Sequence, residues 1–271
     1  MSLPSQGSSA PDLSVIMNYE YELDLQGDNA LAHIMELTPK NKKTLEIGAG
    51  SGMITKHLVN TKGCDVVAVE INPASVEKLK AYVDRVYPLD LNDPGWVTHL
   101  AQEGKFDTII AADVLEHLYD PWTVLKGMRS LLSEDGSIIL SLPHVGHSAI
   151  VACLLEEDFE YRDWGLLDKT HIRFFGLHNI HSLHESVGMA IADCRFVVRD
   201  PQDTEFAERW ARLPMEVKAA LTSYPHGRIY QVVTRATSSE TVSNPVDLFM
   251  ASGVRSAPRP TIFDRLGFRK F

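Results

Sequence analysis

The chain has 271 residues, 44% hydrophobic and 23% charged, which are ordinary globular values and leave room for one large α/β domain with an appended tail. A formal charge of −10 argues against a nucleic-acid groove, and the three scattered cysteines, Cys64, Cys153 and Cys194, exclude a disulfide framework or a CxxC metal site. The N-terminus lacks a signal-peptide pattern, and the apolar run 149–155 is too short to span a bilayer, so a soluble cytoplasmic protein is expected.

Residues 1–14, rich in Ser, Pro and Gly, read as a disordered N-terminus, and 13–25 as a cap on the domain that follows. Asp28 is placed to N-cap a helix over 29–37. Strands are expected at 44–47, 65–71, 85–89, 106–112, 137–142, 191–199 and 228–235. Between them lie helices beginning at 54 and at 73–83, 95–102, 121–132 and 178–187, and a long one over 204–221. Strands alternating with helices predict a doubly wound, mostly parallel sheet, and the Val- and Ile-rich middle strands predict burial on both faces. The last strand could return antiparallel. The main domain is read as 15–236, with an insertion at about 143–176. From 237 to 271 a Ser-, Pro- and Arg-rich tail follows, which could dock on a partner or a second copy.

The stretch Thr44-Leu-Glu-Ile-Gly-Ala-Gly-Ser-Gly-Met53 takes a strand through a glycine-rich turn into a helix, the opening of a nucleotide-binding βαβ unit. A dinucleotide fingerprint would carry glycine at Met53. Instead Glu46 precedes Gly48, Gly50 and Gly52. An acid beside the turn is awkward for a pyrophosphate and suits a cationic, amino-bearing ligand. A second acid, Glu70, closes the next strand where a ribose diol would lie.

With these residues the chain resembles the class I S-adenosylmethionine-dependent methyltransferases over roughly 28–236. LEIGAGSG, VVAVEIN, YPLDLND, FDTIIAADVLEHLYDP and LLSEDGSIILSLP look like five of their motifs in order. The resemblance implies a seven-stranded sheet with an antiparallel last strand and S-adenosylmethionine as cofactor. It further implies that Glu46, Gly48, Gly50 and Gly52 lie along the methionine part, and that Glu70, with Ile71 beside it, holds the ribose. Asp90 would meet the adenine amino group, Leu91 flank its ring, and Ala112 and Asp113 line the sulfonium end.

A sulfonium methyl is already activated, so transfer mainly needs alignment and exclusion of water, while a hydroxyl acceptor must also lose its proton. His117 follows the fourth strand and His144 and His147 the fifth. Asp168 and His171 sit in Gly165-Leu-Leu-Asp-Lys-Thr-His-Ile-Arg-Phe-Phe175, a segment resembling a subgroup linked to sugar, polysaccharide or natural-product methylation. O-methylation of a small sugar-like or secondary-metabolite acceptor is therefore expected. His117, His144, His171 and Asp168 are its candidates for acceptor or base work, and a purely structural loop is the alternative. If Asp113 opens a helix, Glu116 and His117 share its face and the three could hold a divalent metal, as in enzymes acting on RNA ends or quinone-like rings; the expected state is none, with Glu116 and His117 capping the strand. Residues 148–163 read either as a lid or as a packed helix with a solvated acidic end. His178, His181 and His184 read as a solvated helix face. Arg255, Arg259, Arg265, Arg269 and Lys270 in the tail keep an RNA acceptor open, a non-catalytic cofactor-binding module is a further alternative, and Met53 with Glu46 speaks against a nicotinamide oxidoreductase.

Overall fold

The structure, a computed structural model, describes residues 27–252. Its elements in order are α1 (Ala30–Leu37), β1 (Lys43–Ile47), α2 (Met53–Asn60), β2 (Asp65–Val69), α3 (Pro73–Leu79), β3 (Val86–Tyr87), α4 (Trp96–Leu100), β4 (Phe106–Ala112) and α5 (Pro121–Leu131). There follow β5 (Leu132–Pro143), α6 (Ser148–Leu155), α7 (Leu177–Glu185), β6 (Met189–Val198), α8 (Ala207–Arg212), α9 (Met215–Thr222), β7 (Ile229–Ser238) and α10 (Leu248–Ala251).

The strands form one seven-stranded sheet in the order β3-β2-β1-β4-β5-β7-β6, with β7 antiparallel between β5 and β6. This is the expected doubly wound α/β sheet with its last strand reversed. Alternate side chains of the middle strands bury into opposite layers, as the period of two requires. Leu45, Ile47, Val67, Val69, Ile109 and Ile138 pack in the larger core with α4, α5 and α7. Val66, Ile110 and Ile139 pack with Ile34, Met35 and Leu58 from α1 and α2 on the other face. Both layers are needed because these strands carry almost no polar face.

Register places the strand ends level. Ile47 pairs with Val69 on one side and Ala111 on the other, and Ala112 pairs with Ser141. The chain winds outward from β1 to β3, then jumps back to β4, so the crevice between β1 and β4 is the switch point at which α/β sheets bind ligands. The segments that follow β1, β2, β4 and β5 all emerge at this edge.

Several expected elements differ. The helix over 204–221 is two helices, because Pro214 forces Leu213 into an extended conformation (ψ 144°) and restarts the chain as α9. The strand over 85–89 shrinks to Val86–Tyr87, since Pro88 offers no N–H. Asn29, not Asp28, caps α1; the Asp28 carboxylate instead meets His33, the Val198 N–H and Arg199. The expected tail boundary at 237 falls within β7, which continues to Ser238. Beyond it Val246 N–H donates to the Ile191 carbonyl and Leu248 is fully buried in the main core. The N-terminal readings over 1–14 and 13–25, and the basic tail residues from Arg255 onward, lie outside the described residues.

The 148–163 segment is a packed unit. Ala149, Ile150 and Cys153 of α6 are buried against Leu166, Leu167 and Phe206. Its acidic end is tied down: Arg209 bridges Glu156 (2.7 Å), Asp158 and Glu160 (2.5 Å), and Arg212 bridges Glu156. The histidines of α7 also depart from expectation. His184 is buried at 1% exposure with its Nε2 2.9 Å from Thr234 Oγ1, His181 lies 3.3 Å from Glu185, and the His178 ring lies 4.2 Å from that of Phe249. They form no common solvated face.

Candidate active site

The site begins where β1 ends. Gly48, Gly50 and Gly52 all have positive φ (68°, 54° and 91°), a conformation that L side chains resist. At Gly48 a Cβ would meet Val114 Cγ2 at 2.5 Å, whereas at Gly50 it would meet nothing within 4 Å. Gly48 is therefore required by packing, and Gly50 lies bare toward open space. Gly52 caps α2 without a side chain, and a Cβ there would meet Tyr82 Cδ2 at 2.8 Å.

Glu70 ties β2 to this turn. Its Oε2 accepts from the Gly50 N–H and its Oε1 from the Asn72 N–H, both at 2.7 Å. Each oxygen keeps a lone pair. Glu46 is 2% exposed and accepts from Thr55 Oγ1 at 2.6 Å. Burial, reinforced by the nearby charge of Glu70, pushes its carboxyl up to about 8, so at neutral pH it is mostly protonated. Ile71 is exposed, Asp90 is half-buried and accepts from Asn92 N–H and Nδ2, and Leu91 is buried.

At the end of β4 the chain does not open an α-helix. Asp113 takes a left-handed conformation (φ 53°), and a 3-10 turn over Leu115–His117 follows. The Asp113 carboxylate accepts from Ser141 Oγ (3.2 Å) and from Gln231 Nε2. The protein packed around it pushes its carboxyl up to about 6, although the residue itself stays exposed to solvent. The alternative trio of Asp113, Glu116 and His117 is not the group of ligand-type atoms that comes together. Glu116, His117 and His171 each place one ligand-type atom within 4.8 Å of the others, and Asp113 turns to Ser141 and Gln231 instead.

The 165–175 loop brings His171 there. Ile172 and Arg173 N–H groups donate to the Glu116 carbonyl (2.9 and 3.0 Å), and Val145 N–H donates to the Phe175 carbonyl. Asp168 accepts from Thr170 N–H (2.8 Å) and Thr170 Oγ1 (2.6 Å). His117 Nδ1 lies 3.2 Å from the Thr170 carbonyl and 3.0 Å from Thr170 Oγ1, and His171 Nδ1 lies 3.3 Å from the Leu166 carbonyl. A carbonyl only accepts, so both rings carry their proton on Nδ1 and leave a lone pair on Nε2. Burial lowers both rings, His171 to about 4, and so keeps them neutral at pH 7.

The other two nominated histidines stand in structural surroundings. His144 is 3% exposed, with Nδ1 3.1 Å from the Ile229 carbonyl; burial pushes it down to about 4. His147 donates from Nε2 to the Arg199 carbonyl and accepts the Ala149 N–H at Nδ1, capping α6. Asp168 holds Thr170, whose hydroxyl lies 3.0 Å from His117 Nδ1. Sequence reasoning missed Thr55, Ser141, Thr170 and Gln231. Thr170 lay between two nominated residues, but nothing local marks Gln231, which meets Asp113 only through the β5–β7 pairing.

A rim of exposed apolar side chains adjoins the loop. Tyr119 (61% exposed), Trp122, Ile172 and Phe174 belong to it, and Trp122, Phe174 and Phe175 line a small groove with Arg173 and Asn179. A polar cavity lined by Lys42, Asp107, Ser137 and Arg235 lies at the opposite edge of the sheet, where α/β ligands do not bind. Among the described residues no helix is long and apolar enough to cross a membrane.

Comparison with known proteins agrees with this geometry. Residues 19–193 match a family described as a methyltransferase domain. The ubiquinone biosynthesis O-methyltransferase of Acinetobacter baylyi is 25% identical over 153 residues, covering 55% of this chain and 60% of that protein. The chain thus spans less than two thirds of that relative. Among solved structures, a protein of Bacillus halodurans C-125 described as a candidate methyltransferase superposes with a TM-score of 0.52 at 13% identity, covering 76% of this chain and 97% of the other. The cyclase SpnF superposes with a TM-score of 0.51 at 13% identity, covering 80% and 86%. These likenesses establish the fold, and a cyclase among them shows that the fold alone does not name the reaction.

Proposed function

This chain belongs to the methyltransferase-domain family, the class I S-adenosylmethionine-dependent methyltransferases, and on that premise we propose that it methylates a hydroxyl oxygen of a small, flat acceptor. When bound, the cofactor supplies a methyl group already activated by a positive sulfur. The observation that carries the cofactor assignment is the Glu70 carboxylate docked on the Gly50 N–H, beside a turn with open space at Gly50. The residues fit the ligand: Glu70 keeps lone pairs for two ribose hydroxyls, bare Gly50 lets the ligand approach the backbone, and buried Glu46 can ionise toward an ammonium.

Asp90 and Leu91 would then flank the adenine, and Ala112 and Asp113 the methyl end. Asp113 is held in place by Ser141 and Gln231, which fixes the wall against which an acceptor must align. The acceptor's proton would leave at the Glu116, His117 and His171 cluster, whose imidazoles are neutral and present unprotonated Nε2 atoms. They can take the proton directly or hold a cation that acidifies the hydroxyl.

The relative from Acinetobacter baylyi is named for ubiquinone biosynthesis, and the aromatic rim of Trp122 and Phe174 suits stacking on a ring. Both favour a phenolic acceptor over a sugar. The test is transfer from S-adenosylmethionine onto matched panels of catechols and glycosides, read by mass spectrometry. Methylated catechols support the reading, methylated glycosides alone would replace the acceptor class, and tight cofactor binding without any product would favour a non-catalytic module.

A further inference from the structure

We propose that Glu116, His117 and His171 bind a divalent first-row transition-metal ion at the junction between the end of β4 and the 165–175 loop. The proposal deepens the reading above, since this is the cluster at which that reading places the acceptor oxygen. Three observations carry it. One ligand-type atom from each residue lies within 4.8 Å of the other two. Both carboxylate oxygens of Glu116 are buried without a hydrogen-bond partner, in a residue with no solvent exposure. The other buried acids near the cleft behave differently: Glu46 accepts from Thr55 and Glu70 from two backbone amides. An acid buried without a protein donor is unfavourable unless something fills its lone pairs.

The third observation is what the Nδ1 atom of each ring faces. Each Nδ1 faces a backbone carbonyl, Thr170 for His117 and Leu166 for His171, so each Nε2 carries a lone pair. Metal-ligating histidines are held in this way, with the distal N–H donated to a carbonyl or carboxylate that fixes tautomer and ring orientation. The Thr170 hydroxyl, itself bonded to Asp168, lies 3.0 Å from His117 Nδ1 and adds an outer layer. Two N–H groups of the loop donate to the Glu116 carbonyl, so the two ligand-bearing segments are already joined.

Two imidazoles and one carboxylate are borderline donors that suit Zn²⁺, Mn²⁺, Fe²⁺ or Co²⁺; Mg²⁺ and Ca²⁺ take oxygen ligands. Donors around such an ion at about 2.1 Å lie roughly 3.0–3.4 Å apart, so the cluster, whose donors lie within 4.8 Å of one another, closes by at most about 1.4–1.8 Å on binding. Three protein ligands leave positions open for water or an acceptor oxygen. With the ion bound, the imidazoles serve as ligands and not as bases.

The test uses the full chain, stripped with a chelator and titrated with Zn²⁺ and, separately, Co²⁺. The expected result is one ion per chain, a melting temperature raised by about 5–10 °C at hundredfold excess over Kd, and visible d–d absorption with Co²⁺. Glu116→Gln and His171→Gln should each weaken binding at least tenfold, while His181→Gln on α7 leaves it unchanged. X-ray absorption on the Zn²⁺-loaded wild type, which does not depend on how the variants fold, should show two imidazoles. No stoichiometric binding, undiminished binding in both site variants, or fewer than two imidazoles overturns the proposal. None of these readouts needs cofactor or acceptor, so failure here leaves methyl transfer standing, and failure of methyl transfer leaves the metal site standing.

Discussion

Glu46→Gln isolates the consequence of burying an acid beneath the glycine turn. The Glu46 carboxyl is raised from 4.5 to about 8 by burial, with the Thr55 hydroxyl as its hydrogen-bond donor. Between these values the folded chain holds a proton that the unfolded chain has lost. Stability therefore falls as pH rises from about 4.5 to about 8, then levels off once both states are ionised. A shift of this size corresponds to about 5 kcal/mol at full extent. Glutamine stays neutral and still accepts from Thr55, so the variant should match wild type near pH 5 and exceed it by several kcal/mol near pH 9. Urea unfolding of both proteins across this range gives the difference directly, and the other titrating groups cancel. A difference that stays flat from pH 5 to 9 would refute the argument. Cofactor binding adds a second readout. If Glu46 ionises to meet the ligand's ammonium, binding near pH 7 releases close to one proton in wild type and none in Glu46→Gln. Calorimetry in buffers of different ionisation enthalpy measures it.

Other outcomes follow from single contacts. Glu70→Ala should weaken cofactor affinity at least tenfold, through the lost hydroxyl acceptors, while leaving a cooperative thermal transition; calorimetry and a melting curve together check it. Gly50→Ala should cost about 1–2 kcal/mol of stability for its positive φ but lose more affinity than stability, because its Cβ points into open space where the ligand approaches. Gly48→Ala should do the reverse, losing about 3 kcal/mol through strain and the contact with Val114. His184→Met should flatten the acid limb of stability. Burial lowers this imidazole to about 4, so the unfolded chain gains a proton first and stability is lost as pH falls from 6.5 toward 4, by about 3 kcal/mol at full extent.

The middle of the sheet was readable because its strands are buried on both faces and their Val and Ile runs leave little choice of conformation. The strand expected over 106–112 and the observed Phe106–Ala112 coincide residue for residue, and the glycine turn stands between β1 and α2 as its sequence implies. Two departures had local signals. Pro214 lay within the expected long helix, and His184 falls four residues after Ile180 and seven after Leu177, on the buried face of α7. Others had none. The left-handed turn at Asp113 and its bonds to Ser141 and Gln231 depend on partners far along the chain, so its side chain could not be aimed from the spacing Asp-x-x-Glu-His. The same holds for Glu116 and His171. Each is a candidate by itself in the sequence, but only the fold lays the 165–175 loop over the end of β4 and brings them together.

The central claim is that the turn over residues 48–52, with Glu70 docked against it, is a site for S-adenosylmethionine. Titrating the folded chain with S-adenosylmethionine by calorimetry tests it most directly. The account predicts saturable binding of one molecule per chain. No heat of binding from protein that unfolds cooperatively would contradict it.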